Sequence, residues 1–230
     1  MTPLRIIDGA FQLIAFLFAI CVHESAHAWM ADRRGDPTAR MLGRITLNPI
    51  KHIDPIGTIL LPAMGLYYGT GIFGWAKPTP VDPRNFKSPV VDDILTSVVG
   101  PISNFVIATA SLILLMLVSH SSPVGHQIVT EKALYLPGLL TPPDSPLVPL
   151  VLFLDTMMWL NILLGVFNLI PVPPLDGSHV LRHFMSDSIR RAYDSIGVFG
   201  LLMLVVFGQP VLAALINPPI IFYNSILKKF

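Results

Sequence analysis

The sequence predicts an α-helical polytopic membrane protein. The expected plan is a three-helix core with short membrane-associated strands, a re-entrant segment and one or two C-terminal transmembrane helices. Three observations predict it. Mean hydropathy is +0.66 and only 13% of the 230 residues are charged, about half the share usual in soluble domains. The apolar residues fall in long runs, and a bilayer crossing needs about 20 of them. One such run, Phe11 to Cys21, leads straight into His23-Glu24-Ser25-Ala26-His27, so polar chemistry is set inside a hydrophobic helix.

The first span runs roughly from Ile6 to Ala31. Gly35 and Pro37 stop it, and Arg33 and Arg34 favour a cytoplasmic end. A cleaved signal peptide is the competing reading of the N-terminus. It fails because the apolar run continues into the His/Glu motif with no small-residue cleavage signature. Residues 38–51 carry Arg40, Arg44 and Lys51 on the same side and hold a strand-like piece, Gly43 to Leu47. Residues 56–73 are apolar but broken by Pro62 and four glycines. The loop after them carries Lys77, Arg84 and Lys87, so the segment leaves and returns to one side and reads as re-entrant. Ala76 to Val81 reads as a second short strand.

Val91 to Ser119 is the second core span. Gly100 permits close helix packing, and Asn104 is a neutral polar group suited to bonding between helices or to a substrate. Residues 120–146 form a long outer loop. Pro146 to Ile170 is the third span and holds Asp155, Asn161 and Asn168; it breaks at Pro171-Val172-Pro173-Pro174-Leu175-Asp176-Gly177. The basic stretch Gly177 to Asp194 lies inside. Ile196 to Leu227 is either one span with a surface helix or a hairpin of two. The chain reads as one domain over 1–230, with its core at about 6–190 and a C-terminal helical region at about 191–230. Cys21 is the single cysteine, so no intrachain disulfide framework exists. With net charge +1 and no basic patch, nucleic acid is not an expected partner.

Histidines four apart lie one turn apart on one helix face, where two neutral imidazoles can grip a metal ion. Glu24 projects about 100° further round, where a general base for an activated water would sit. Hydrolytic zinc sites usually add a third protein ligand. Asp155, Asp176, His179 and His183 are the candidates, and Asp176 is favoured by its place at a helix break beside Gly177. The re-entrant topology also brings Asp176 to the depth of His23 and His27. Asp155 reads as a structural partner, His179 and His183 as a solvated pair, His52 as lining the site or bracing a loop, and Cys21 as packing. Asn104 or Asn168 is placed to hydrogen-bond a substrate backbone or a developing oxyanion.

These motifs resemble the site-2 protease family of intramembrane zinc metalloproteases. The resemblance rests on His23-Glu24-x-x-His27, on Gly100-Pro101-Ile102-Ser103-Asn104-Phe105, and on Asn168-Leu169-Ile170-Pro171-Val172-Pro173-Pro174-Leu175-Asp176-Gly177. Leu47-Asn48-Pro49, His52-Ile53-Asp54-Pro55-Ile56-Gly57 and Trp75-Ala76-Lys77-Pro78 resemble the short bacterial members without a PDZ domain. The resemblance implies one catalytic Zn2+ held by His23, His27 and Asp176, with Glu24 as base. It implies that Asn168, Pro171 and Pro173 help hold an unwound substrate, and that the three-helix catalytic core cleaves transmembrane segments of membrane-anchored proteins. The expected partners are therefore a transmembrane protein substrate and the lipid bilayer. The expected location is a bacterial cytoplasmic membrane, with the site toward the cytoplasm. A strand edge at 43–47 or 76–81 is expected to pair with the extended substrate. The alternative is a membrane metal transporter with a His/Glu site. Transporters usually carry several polar helices in repeated halves, whereas this chain has one dense cluster and no repeat.

Overall fold

The computed structural model describes residues 3–69, 72, 74–134 and 145–229, and every regular element among them is helical. Helix α1 (Pro3–Arg34) is followed by the single turn α2 (Thr38–Met41). A 3-10 turn at Pro49–Lys51 and a π-helical turn at Pro55–Leu60 lead into α3 (Leu61–Tyr68). The long α4 (Pro89–Ser121) and α5 (Pro123–Ala133) come next, then α6 (Leu147–Asn168). The chain closes with α7 (Asp176–Arg182), α8 (Asp187–Phe207) and α9 (Gln209–Leu227). Among the described residues, four helices are long and apolar enough to cross a membrane: α1 from Gly9 onward, α4, α6 and α9.

The apolar helix Pro55–Tyr68 begins where Asp54 accepts the main-chain N–H groups of Ile56 and Gly57 at 3.0 and 2.7 Å. At 1.5 Å per residue it is about 21 Å long, short of the roughly 30 Å of a hydrocarbon core. The chain then comes back to the end of α1 that it left. Lys87 N–H donates to the Arg34 carbonyl at 3.3 Å, and Arg34 Nε lies 3.6 Å from Asp92 of α4. Helices α1 and α4 are thus antiparallel neighbours, and α6 runs parallel to α1. Two apolar clusters hold them. Phe16, Ala19 and Ile20 of α1 pack on Leu160 of α6. Ala108, Leu112 and Leu115 of α4 pack with Ile128 of α5 and Val151, Met158 and Ile162 of α6. Helix α9 joins this second cluster through Leu227 and ties Tyr223 Oη to Thr109 Oγ1 at 2.8 Å.

The expected strands are corrected. Neither Gly43 to Leu47 nor Ala76 to Val81 forms a strand, and the described residues contain none. In the first piece the N–H groups turn back locally, Gly43 to Arg40, Arg44 to Ala39 and Thr46 to Arg44, which closes α2 rather than opening a ladder. In the second, Pro78 and Pro80 have no N–H to give a ladder. Its remaining groups are used singly: Lys77 N–H goes to the His52 carbonyl at 2.8 Å, and the Lys77 and Pro78 carbonyls accept from Arg44 at 3.3 and 3.0 Å. Alternating polarity here records a chain laid over the bundle end. The expected outer loop also differs, because Ser122 caps Gly125 N–H at 3.0 Å and starts α5. Residues 135–144 of that loop lie outside the described residues.

Candidate metal centre

His23 and His27 stand on the inner face of α1, both 7% exposed. Asp176 opens α7 and reaches back to them. His23 Nε2 and His27 Nε2 are 3.0 Å apart. Asp176 Oδ2 lies 3.1 Å from the first, and Asp176 Oδ1 lies 3.4 Å from the second. The three side chains form the one metal-capable His/Cys/Asp/Glu cluster among the described residues.

The protons of this cluster can be placed from its partners. His27 Nδ1 faces the Thr96 carbonyl at 2.6 Å. A carbonyl only accepts, so Nδ1 carries the hydrogen and Nε2 a lone pair. His23 Nδ1 faces Asn104 Oδ1 at 2.7 Å. Asn104 Nδ2 donates to Asn161 Oδ1 at 2.9 Å, and Asn161 Nδ2 donates to the Met157 carbonyl at 2.8 Å. That terminal carbonyl sets both amides, so His23 also donates from Nδ1 and bares Nε2. With both imidazoles neutral, two lone pairs and a carboxylate converge with no hydrogen between them. Asp176 Oδ2 is buried without a hydrogen-bond donor. Three acceptors at this spacing fit a cation. Tetrahedral bonds of about 2.0–2.1 Å to nitrogen place ligand atoms about 3.3 Å apart.

The space for the cluster is made by Gly100. A Cβ there would lie 2.6 Å from His27 Cε1 and 2.8 Å from His23 Cε1. Asp176 is presented by a tightly folded approach. Gly177 is needed because a Cβ would stand 2.8 Å from the Ile170 carbonyl; the need is for close approach rather than for a sharp turn. Helix α7 is pinned to α4 by His183 Nε2, 2.7 Å from Asp93 Oδ2, with His179 Nδ1 3.6 Å from Asp93 Oδ1. The expected solvated histidine pair is thus a brace on the helix that carries Asp176.

Glu24 points to the chain laid over the bundle end. Thr79 N–H donates to Glu24 Oε2 at 2.8 Å, and Thr79 Oγ1–H donates to the Glu24 carbonyl at 3.0 Å. The buried Arg44 guanidinium holds that chain through the carbonyls of Lys51, Lys77 and Pro78. Ser25 Oγ–H donates to the Thr46 carbonyl at 2.5 Å and His52 Nε2–H donates to the same oxygen at 2.8 Å. His52 therefore braces the loop.

Asn104 is fully buried and engaged by His23 and Asn161. Its amide is engaged in bonding between helices, the other place expected for it. Asn168 turns its Nδ2 back to the Leu164 carbonyl at 3.0 Å. Pro171 is exposed at the turn before Asp176, its carbonyl accepting from Tyr193 Oη–H at 2.9 Å, and Pro173 is buried. Asp155 pairs with Lys132 at 3.2 Å, and Cys21 is buried in packing. Sequence reasoning missed Thr79 and Thr96, which act through main-chain groups that no side-chain pattern announces. It noted Arg44 only as a topological charge and Asn161 only as a polar residue in a span.

Comparison with known proteins agrees with this geometry. The family model for peptidase family M50 matches residues 11–207. "Putative zinc metalloprotease YwhC" of Bacillus subtilis is 36% identical over 225 residues, covering 96% of this chain and 90% of that protein. "Putative zinc metalloprotease Rip2" of Mycolicibacterium smegmatis is 28% identical, over 86% of this chain and 67% of its own length. Its Mycobacterium tuberculosis counterpart is 27% identical, over 89% and 70%. No solved structure matches the chain at a comparable level of significance. The family match excludes the transporter reading. Helices fit to cross a bilayer, a His-His-Asp acceptor cluster at one end of them, and a family match over most of the sequence have one common account: this chain belongs to peptidase family M50 and is an intramembrane zinc metalloprotease.

Proposed function

We propose that His23, His27 and Asp176 hold a single catalytic Zn2+ and that Glu24 is the general base. The observation that carries this reading is the convergence of two imidazole nitrogens and a carboxylate, their facing atoms 3.0–3.4 Å apart. Two imidazoles and a carboxylate form a donor set of zinc hydrolases. Zinc in such a set supplies Lewis-acid polarisation and a water acidic near neutrality. Glu24 takes the proton of the attacking water and returns it to the leaving amine nitrogen. Its Oε2 is held by Thr79 N–H, and that hydrogen bond fixes the carboxylate's orientation.

The substrate class is a transmembrane segment of a membrane-anchored protein. The lipid-facing sides of α1 and α4 near the site are apolar, with Ile14, Phe18, Ile102 and Val106 exposed, so a guest helix arrives through hydrocarbon. Asn168, Pro171 and Pro173 would receive its unwound stretch, a role consistent with the exposed turn that carries Pro171 between α6 and the ligand Asp176. The site faces the cytoplasm. Arg33, Arg34, Arg40, Lys51, Lys77, Arg84 and Lys87 all flank the site's end of the bundle, as cytoplasmic ends require.

The test is Glu24→Gln in full-length protein reconstituted with a model transmembrane substrate. Zinc content should equal wild type while cleavage falls by about 10²–10⁴-fold, the usual worth of a positioned base. Cleavage at the wild-type rate sinks the assignment of Glu24. A wild-type protein that takes up no zinc sinks the metal centre.

A further inference from the structure

We infer that Asn161 is a positioning residue for the metal: its side-chain oxygen, acting through Asn104, selects the tautomer of His23 that can bind zinc. The inference rests on the proposed zinc site and deepens it.

Asn161 sits in the middle of α6, 0% exposed, two turns before Asn168 and far in sequence from every ligand. Its amide is locked at one end by its own helix, where Nδ2–H donates to the Met157 carbonyl one turn earlier at 2.8 Å. That lock directs Oδ1 at α4, where it accepts from Asn104 Nδ2 at 2.9 Å. Asn104, also 0% exposed, must then turn Oδ1 toward His23 Nδ1, 2.7 Å away. An amide rotated by 180° would present a donor to His23 instead. His23 would then place its hydrogen on Nε2 and lose the lone pair that faces His27 and Asp176. Asn104 alone can adopt either rotation. The acceptor at position 161 removes the choice.

His27 has no such uncertainty, because its Nδ1 partner is the fixed carbonyl of Thr96. The two ligands are thus oriented differently, one by main chain and one by a two-amide relay that ends on main chain. Partners of metal-bound imidazoles typically contribute 10–100-fold to metal affinity or activity.

Asn161→Leu and Asn161→Asp are the informative pair, because all three side chains branch at Cγ and share a reach. Aspartate presents an oxygen to Asn104 in either protonation state; leucine presents none. In purified full-length protein, competition for zinc against a chelator of known affinity should show Asn161→Leu weakened by about 10–100-fold and Asn161→Asp within about 3-fold of wild type. The cleavage lost by Asn161→Leu should return as zinc is raised, with KM for the substrate unchanged, whereas general damage to the bundle would not respond to zinc. If the leucine variant does not fold, Asn161→Ala takes its place against Asn161→Asp. Equal zinc affinity in wild type and the leucine or alanine variant overturns the inference while leaving the metal site standing. So does an aspartate variant as weak as leucine. Failure of wild type to bind zinc overturns both.

Discussion

Gly100→Ala is a one-carbon test of the metal centre. The added Cβ falls 2.6 Å from His27 Cε1 and 2.8 Å from His23 Cε1, where ordinary contact begins at 3.4 Å. The rings must therefore retreat by at least about 0.8 and 0.6 Å, the His27 ring further because its Nε2 lies nearer still, or α4 must move away from α1 by a similar distance. Metal–ligand distances hold only within about 0.2 Å, and catalytic constellations within about 0.5 Å. Neither ring can absorb the shift alone, because each is tied at Nδ1, one to Asn104 and one to the Thr96 carbonyl. Zinc affinity should drop by at least the 10–100-fold seen when a ligand's partner is lost, and cleavage should fall with it. Alanine also favours the helix interior over glycine by about 1 kcal/mol, so the metal-free protein should not be destabilised by backbone preference. The control is Gly165→Ala, whose Cβ meets the Phe105 ring at 3.1 Å, away from the ligands. The Phe105 ring must give by about 0.3 Å, a strain set against alanine's helix preference of about 1 kcal/mol, and zinc affinity should stay intact. Chelator competition and a thermal melt on each variant separate the two. Wild-type zinc affinity and cleavage in Gly100→Ala would refute the packing of α4 against the two histidines.

Two further outcomes follow from the chain that covers the site. Arg44→Met should strip the guanidinium from the carbonyls of Lys51, Lys77 and Pro78; zinc should stay bound, cleavage should fall about 10²-fold as the base loses its orientation, and limited proteolysis near residues 77–85 should speed up. Asp36 is fully buried at the end of α1. Burial raises its pKa, but Thr38 Oγ1–H, the N–H groups of Thr38 and Asp82, and Asn85 Nδ2 outweigh it, so its pKa is lowered. A lowered folded-state pKa adds stability that is complete above the unfolded value of about 3.9 and is lost as pH falls through the folded value. Asp36→Asn should therefore flatten the loss of thermal stability below about pH 4 and, near neutrality, cost about 1–3 kcal/mol in proportion to the donors left unmatched.

The three residues of the candidate metal cluster stand out in the sequence for physical reasons. The spacing of His23 and His27 has meaning only on a helix, and a carboxylate in an apolar context stands out because it is costly there. Asp176 was legible because its prolines and glycine mark the end of a span. The parts that were not legible act through the main chain or through what is missing. Thr79 and Thr96 contribute an N–H and a carbonyl, which any residue but proline carries in the first case and every residue in the second. Gly100 contributes an empty volume, and its neighbours in sequence give no sign of which rings fill it. Asn104 illustrates a different ambiguity. An amide in a transmembrane helix can bond a partner helix, a guest or a ligand, and only the 2.7 Å contact with His23 separates these.

The mistaken strand at Ala76 to Val81 and the missed partner of Glu24 have a single cause. Residues 78–80 read Pro-Thr-Pro, and alternation around them imitates a half-buried strand. A strand needs repeated N–H donors, and this run has only one, on Thr79. A partly buried N–H left unmatched costs about 1–3 kcal/mol, so that lone donor is best placed on an acceptor. It ends on Glu24 Oε2. The prolines on either side cannot compete for the carboxylate and have preset φ values, which keeps the donor where it is. Arg44 then collects the carbonyls of Lys77 and Pro78 from the other side. The same solution recurs at each polar atom of the site: His27 on the Thr96 carbonyl, His23 on Asn104, Asn104 on Asn161, Asn161 on the Met157 carbonyl. Each chain of bonds ends on main chain. Where these chains meet, the two Nε2 atoms and the Asp176 carboxylate face one another, and a cation is the partner that satisfies them together.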